Sequence, residues 1–393
     1  MDSGNAAGAS GDTILFVDDE TNILNSIKRE LHDWLKANSL RLITATSARE
    51  GLELLETEAQ RVAVLVSDLR MPEMKGSDFL LAAKEKWPSI ITILLTGFPE
   101  TEEIMKAVKA GIFSYILKPW DADYLRSEVE KALATYRLKR QNEAYAKTME
   151  EELRWAGEMQ RAMLKPNLLR SEGVEFRTSY RPLPSLYCGG DYYDVISIGA
   201  DRFLILVGDV AGHGLKGALV TGILKAVIFP EFVRGMLGKK FSPAGFLSWL
   251  NERMNFELRQ ASDLIITFLA GVLDRREMTF TYANAGQDHP FIVSGGQVRE
   301  LPVSGSAIGF AGSVMYADKI ERLLPGDVIF AFSDGLVEAG AKRGAAPTVR
   351  LKDILASTPY GSEYHKRILE AALSASGAAD FEDDVTIVTA ALA

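Results

Sequence analysis

Two sets of aspartates, each placed beside short apolar runs, are the residues of this chain best suited to chemistry. In the first, Asp18 and Asp19 follow TILFV, Asp68 follows VAVLVS, Thr96 closes ITILLT and Lys118 follows SYIL. Three carboxylates in one crevice repel one another unless a cation neutralises them, and Mg2+ is the hard, oxygen-seeking ion that suits them. A hydroxyl (Thr96) and an ammonium (Lys118) would complete a site for a phosphoryl group carried on a carboxylate. In the second set, Asp191 lies in GGDYYD, Asp209 in VGDVAGHG, Asp334 in FSDGLVEA, and Asp383 with Asp384 in FEDDVTIV. Glycines beside the first three let the backbone approach a ligand closely. Acidic turns with almost no His or Cys in support favour oxygen-ligated Mg2+ or Mn2+ over zinc. A pair of such ions lowers the pKa of a shared water and clamps a phosphoryl group for in-line attack. Any single acid here could merely cap a helix or shape a turn. The ordered sets outweigh that reading.

The elements that must position these residues differ between the two halves. Up to Tyr136, apolar runs at 13–17, 40–46, 62–67, 90–96 and 114–117 alternate with amphipathic helical segments at 22–36, 48–59, 77–87, 102–110 and 121–136. That alternation predicts a five-stranded parallel α/β sheet, whose ligands collect outside the carboxyl ends of the strands. After Pro166 the chain turns Gly-rich. Strand-like runs at 265–273, 279–283, 290–293, 327–333 and 385–390 flank helical segments at 217–233 and 243–257. This predicts an α+β sandwich of antiparallel sheets covered by helices. The span 338–380 resists assignment beyond a loop, AGAKRGAAPTVR.

Between the halves lies the joint, Tyr136 to Pro166, rich in strong helix formers and holding one glycine, Gly157. That glycine weakens a helix by about 1 kcal/mol against Ala, too little to break this one. Ala146, Met149, Leu153, Ala156 and Met163 step by threes and fours, with Gln160 in the vacant place and Asn142 one step earlier. The spacing fits a short coiled-coil seam and a homodimer, and equally a solvated spacer. The expected division is therefore a lead-in at 1–11, a first domain at 12–136, a helical linker at 137–166 and a second domain at 167–393.

Composition narrows the setting. The chain has 393 residues, 47% hydrophobic and 25% charged, enough for two or three cored domains. Its net charge of -9 argues against broad nucleic-acid binding, and no basic helix-turn-helix segment is evident. No apolar run reaches bilayer-spanning length, and the polar MDSGNAAGASGDT reads as a disordered lead-in without a signal peptide. One cysteine, Cys188, excludes an intramolecular disulfide, and a cytoplasmic protein is expected. Cys188 with His213 is a weak candidate for a nucleophile and base.

FVDDE, SDLRMPEMKG, LLTG and SYILKP, in that order over residues 12–136, resemble the signature of two-component receiver domains, with a flavodoxin-like fold. The resemblance implies phosphorylation of Asp68 by a histidine kinase or phosphotransfer protein. It implies Mg2+ held by Asp19, Asp68 and the Arg70 carbonyl, with Asp18 in support. Thr96 and Lys118 would contact the phosphoryl oxygens, and Tyr115 would turn inward on switching. GGDYYD, GDVAGHG, NAGQDHP, SDGLVEA and DDVT resemble the SpoIIE-type branch of the PPM metal-dependent Ser/Thr phosphatases over residues 150–393. The segment ELRWAGEMQRAMLKP resembles that family's entry helix, with Met163-Leu164 and Lys165-Pro166 departing slightly from its Leu–Pro end. Two Mn2+ or Mg2+ ions would be bound by Asp191, Asp209, Asp334 and Asp383, with the Val210 carbonyl. In the Asp383–Asp384 pair the first acid aligns with the family's ligand, with Asp384 the further metal candidate beside it. Ala211 stands where the superfamily places a proton donor, which leaves His213 as a loop residue. The GGD of diguanylate cyclases gives no account of SDG and DDVT.

The expectation is thus a response regulator whose Asp68 phosphorylation controls a phosphoserine/phosphothreonine phosphatase. The resemblance implies an anti-sigma-factor antagonist as substrate and sigma-factor control as output. The rival is a non-enzymatic adaptor that binds a sigma or anti-sigma factor, a class that has lost the metal acids this chain keeps.

Overall fold

The computed structural model describes residues 12–97, 101–109, 111–166, 172–212, 214–236, 241–257, 264–310, 314–338 and 347–393. The chain divides into two compact units, Met1–Thr148 and Met149–Ala393. Among the described residues no helix is long and apolar enough to cross a membrane.

In the first unit, β1 (Thr13–Val17), α1 (Thr21–Ala37), β2 (Arg41–Ala45), α2 (Ala48–Glu58), β3 (Val62–Asp68), α3 (Gly76–Lys86), β4 (Ile91–Thr96), α4 (Thr101–Lys109) and β5 (Ser114–Leu117) alternate. Their strands form one parallel sheet in the order β2-β1-β3-β4-β5. β1 and β3 are buried at every residue, because helices cover both faces of the sheet. Leu24, Ile27 and Leu31 of α1 cover one face with Leu125 and Val129, while Leu55, Phe79 and Leu80 cover the other.

The last helix, α5 (Ala122–Leu164), runs for 43 residues without interruption. Every residue from Arg137 to Glu152 is exposed on it, and burial resumes at Gly157, Gln160 and Leu164. The sequence places Gln160 in a seam between helices. In the structure its side chain is instead enclosed within the second unit, whereas Met149 and Met163 remain exposed.

The second unit begins with the end of α5 and continues through β6 (Val174–Arg181), β7 (Asp191–Ser197), β8 (Arg202–Val210) and α6 (Leu215–Val227). A π-helical turn (Ile228–Val233) and α7 (Arg234–Met236) follow, then α8 (Pro243–Glu257). The helix expected over 217–233 is helical throughout that span, but its α pattern gives way at Ile228 to the π turn, where Pro230 has no N–H with which to continue it. Next come β9 (Ile266–Asp274), β10 (Thr279–Ala285), β11 (Phe291–Ser294), β12 (Gln297–Glu300), β13 (Lys319–Arg322), β14 (Val328–Phe332) and α9 (Gly335–Glu338). The chain closes with α10 (Pro347–Ser357), α11 (Tyr364–Ser376) and β15 (Val385–Leu392). Two antiparallel sheets result, β13-β10-β9-β8-β7 and β12-β11-β14-β15-β6. Their facing sides share one core that includes Leu204, Leu206, Phe268, Ala270, Ile329, Ala331 and Val388. On the second sheet's other face, Phe330 and Phe332 meet Leu355, Tyr364 and Ile368 of α10 and α11. The short edge strands QVRE and KIER escape the sequence reading because their residues are largely polar and lie at the sheet margins.

Candidate functional site

The parallel sheet brings Asp18, Asp68, Thr96 and Lys118 together at the carboxyl ends of β1, β3, β4 and β5. Lys118 Nζ lies 2.6 Å from Asp18 Oδ2 and 2.5 Å from Asp68 Oδ1, so one ammonium ties two strand ends together. The second oxygen of each acid is held by backbone. Glu20 N donates to Asp18 Oδ1 at 2.9 Å, and Arg70 N donates to Asp68 Oδ2 at 2.9 Å. Burial raises the Asp18 pKa despite the opposing bonds from Lys118 and Glu20. Burial works against the Lys118 charge too, yet the two carboxylates outweigh it and raise its pKa. Asp19, Glu20, Asp68, Arg70, Thr96 and Lys118 line a small polar cavity of about 190 Å3. Tyr115 points outward from β5 and is 44% exposed.

In the second unit the acids come from both sheets. Asp191 opens β7 and Asp209 lies near the end of β8, directly opposite each other in the antiparallel register. Side chains of such a pair stand on one face of a sheet about 5 Å apart. Asp334 follows β14, Asp383 and Asp384 precede β15, and those two strands are neighbours. Burial raises the Asp191 pKa well above the carboxylate range, with Asp209 adding to the effect. Burial, then Asp334 and Asp383, push Asp209 up to about 7. Burial, then Glu338, Asp383 and Asp288, push Asp334 up to about 6. The charges acting most on both groups are other carboxylates, a donor set that a hard divalent cation would neutralise. Among the described residues, no group of three or more His, Cys, Asp or Glu is arranged to hold a metal ion as it stands. Unneutralised carboxylates repel, which works against a tighter gathering.

Asp384 has a different environment from Asp383. Its side chain accepts from Leu183 N at 2.9 Å and from Gly190 N at 2.8 Å, and the residue is buried. It is engaged in holding the turn that leads to Asp191. Among the described residues Asp383 bonds locally, its Oδ1 accepting from the Asp384 N–H at 2.7 Å. Ser333, which no sequence motif singles out as a site residue, donates to Asp191 Oδ2 at 2.7 Å and accepts from Thr386 N at 2.9 Å. The signal was its place immediately before Asp334 in FSDG. Val210 N donates to Gly190 O at 3.1 Å, placing the Asp209–Val210 strand end against the GGD turn. Cys188 is fully buried and burial raises its thiol pKa, the opposite of what a nucleophile needs. His213 lies outside the described residues, as does 339–346, most of the AGAKRGAAPTVR loop. Asp288 enters as a further acid acting on Asp334.

Comparison with known proteins matches two stretches of the chain separately. Residues 14–130 match the response regulator receiver domain, and residues 199–392 match Stage II sporulation protein E (SpoIIE). The hydrogenase transcriptional regulatory protein HoxA of Cupriavidus necator is 39% identical over 122 residues, 31% of this chain and 24% of that protein. The chain spans about a quarter of the length of the curated relatives it matches. The SiaA-PP2C domain of Pseudomonas aeruginosa is 25% identical with a TM-score of 0.53, covering 63% of this chain and 98% of that one. The PP2C phosphatase domain of SpoIIE from Bacillus subtilis, with a fragment of its regulatory domain, shares the fold at 18% identity and a TM-score of 0.50, over 57% of this chain and 64% of that one. The chain therefore joins a member of the response-regulator receiver family to a member of the SpoIIE-type PPM phosphatase family.

Proposed function

We propose that this protein is a metal-dependent phosphoserine/phosphothreonine phosphatase whose activity is set by phosphorylation of Asp68. The observation that carries the reading is the opposed pair Asp191 and Asp209, facing Asp334 and Asp383 from the neighbouring sheet with carboxylates as the dominant charges around them. Asp191, Asp209, Asp334, Asp383 and the Val210 carbonyl would hold two Mn2+ or Mg2+ ions. Such ions, when bound, supply an acidified water and a clamp on phosphoryl oxygens. The protein's own part is to fix the carboxylates. Ser333 holds one Asp191 oxygen, and β-pairing holds Asp191 beside Asp209. In the receiver, Asp19, Asp68 and the Arg70 carbonyl would hold Mg2+, while Thr96 and Lys118 receive the phosphoryl oxygens. Lys118 already bridges Asp18 and Asp68, so a phosphoryl group on Asp68 would draw that ammonium to itself and rearrange the strand ends.

The phosphodonor in this reading is a histidine kinase or phosphotransfer protein. The substrate is a phosphorylated anti-sigma-factor antagonist, and the output is control of transcription in the cytoplasm. A homodimer formed along the exposed stretch of α5 would carry the signal. The test is phosphate release from a phosphorylated antagonist protein with Mn2+. Wild type and Asp334→Asn are compared, each with and without beryllofluoride on the receiver. Turnover that disappears in Asp334→Asn supports the enzyme, and the beryllofluoride effect gives the sign of control. Absence of turnover in every arm would refute the enzyme and leave a binding adaptor.

A further inference from the structure

Gln160 is a buried polar side chain inside a helix, and a side-chain amide in such a place is costly unless each of its groups is bonded. Here they are. Nε2 donates to Gly189 O at 2.7 Å and to Thr221 Oγ1 at 2.9 Å. Oε1 accepts from Gly189 N at 3.1 Å and from the Tyr180 hydroxyl at 3.2 Å. One side chain thus takes both main-chain groups of Gly189, two residues before Asp191. The next residue is held from the opposite side, where Gly190 N donates to Asp384.

The turn between these two grips has no slack. A Cβ on Gly189 would stand 1.7 Å from Asp384 Oδ2, and one on Gly190 would stand 2.5 Å from Val210 O. α5 comes equally close. A Cβ on Gly157 would stand 2.2 Å from Tyr187 O, so glycine is what lets the helix lie against the turn. Gly157, Gln160 and Leu164 are buried at helical spacing and form the face of α5 turned to this turn and its surroundings. An apolar residue at 160 would fill the space but leave Gly189's N–H and C=O without the partner they now have.

We propose that Gln160 is a positioning residue for Asp191: its amide pins Gly189, and through that turn sets where the Asp191 carboxylate stands relative to Asp209. The assignment rests on the phosphatase reading of the acids and adds to it a supporting residue on the helix that also bears the receiver's final segment. Removing an outer partner of this kind typically weakens metal binding about 10- to 100-fold.

The test is Mn2+ titration by calorimetry on the full chain carrying Asp19→Asn, which removes a receiver carboxylate expected to bind the same ion. Gln160→Met keeps length and loses the amide. Gln160→Asn keeps the amide on a shorter stem, and guards against a Met variant that does not fold. Of the four Gln160 contacts Thr221→Val removes only the one to Thr221 Oγ1, along with that hydroxyl's own bond to Ala218 O. Expected are near-parental Mn2+ affinity in Thr221→Val, about 10- to 100-fold weaker binding in Gln160→Met, and an intermediate value in Gln160→Asn. Turnover in Gln160→Met should return at saturating Mn2+, which separates positioning from loss of the fold. Unchanged Mn2+ affinity in both Gln160 variants would overturn the proposal, whatever their thermal stability. Absence of Mn2+ binding in the parent itself would instead overturn the phosphatase reading, and this assignment with it.

Discussion

Gly157→Ala gives a test in which helix propensity and packing demand opposite signs. In an exposed helix interior the change to Ala stabilises by about 1 kcal/mol. In α5, the new methyl would meet Tyr187 O at 2.2 Å, the Tyr187 carbonyl carbon at 2.8 Å and Tyr187 Cβ at 3.2 Å. Two of these are backbone atoms and cannot rotate away, so helix and turn must separate by roughly 1 Å to restore an ordinary contact of the kind that close packing requires. Tyr187 resists, because it sits at φ +60° with its hydroxyl on Glu150. Overpacking of this kind costs about 1–3 kcal/mol, which exceeds the propensity gain and leaves a net loss of about 1 kcal/mol. Gly222 in α6 is the matched control, since its added methyl meets only the mobile end of Met163 at 3.5 Å. Calorimetric melting of the full chain should therefore show Gly222→Ala raising the second unit's transition by about 2–4 °C and Gly157→Ala lowering it by a similar amount. Gly157→Ala should also lose turnover, because Gly189 is gripped one helical turn further along. A stabilised Gly157→Ala that melts like Gly222→Ala would refute the claim that α5 is locked against the turn.

Three further outcomes are expected. Asp383→Asn should abolish turnover without lowering metal-free stability, since it removes one of the carboxylates that repel Asp209 and Asp334, whereas Asp384→Asn should lower the second unit's stability by about 2 kcal/mol through loss of a charge-assisted bond to Leu183 or Gly190. Urea melts beside the phosphatase assay separate the two, and equal effects would contradict the different roles. Ser333→Ala should raise the Mn2+ concentration for half-maximal turnover about 10-fold or more, since the hydroxyl that steadies Asp191 is gone; an unchanged Mn2+ dependence would count against it. His365 bonds Ser179 and Thr389, and burial lowers its pKa from 6.5 to about 4. Because the unfolded chain then binds more protons between those values, this stabilisation is fully present above about pH 6.5. It falls away toward pH 4 by about 3 kcal/mol. Urea midpoints at pH 4.5 and 7 should differ by less in His365→Gln than in wild type, and identical slopes would refute the assignment.

The receiver half was largely legible in the sequence because a parallel sheet covered on both faces writes each buried strand as an unbroken apolar run, with an acid or hydroxyl where the run ends. β1 and β3 fall where TILFV and VAVLVS place them. The acidic turns of the second half were legible as chemistry for the same local reason: GGD, SDG and DDVT set type and spacing within a few residues. Distances between those turns, and the partners of each acid, depend on strand pairing across hundreds of positions. Asp191 stands opposite Asp209 only because β7 and β8 pair in one register, and Asp383 comes near Asp209 because two sheets face each other. Tertiary structure also decided what adjacent residues do. It turned Asp384 onto backbone N–H groups, enlisted Ser333, and filled the span after SDG with α10 and α11. The heptad steps of the joint marked a helix without saying which side its own domain would take. Gln160, which spacing alone assigns to a seam, and Gly157, which propensity alone counts as a weakness, are where α5 meets the turn before Asp191. Periodicity reports that a face is buried; only the folded chain says against what.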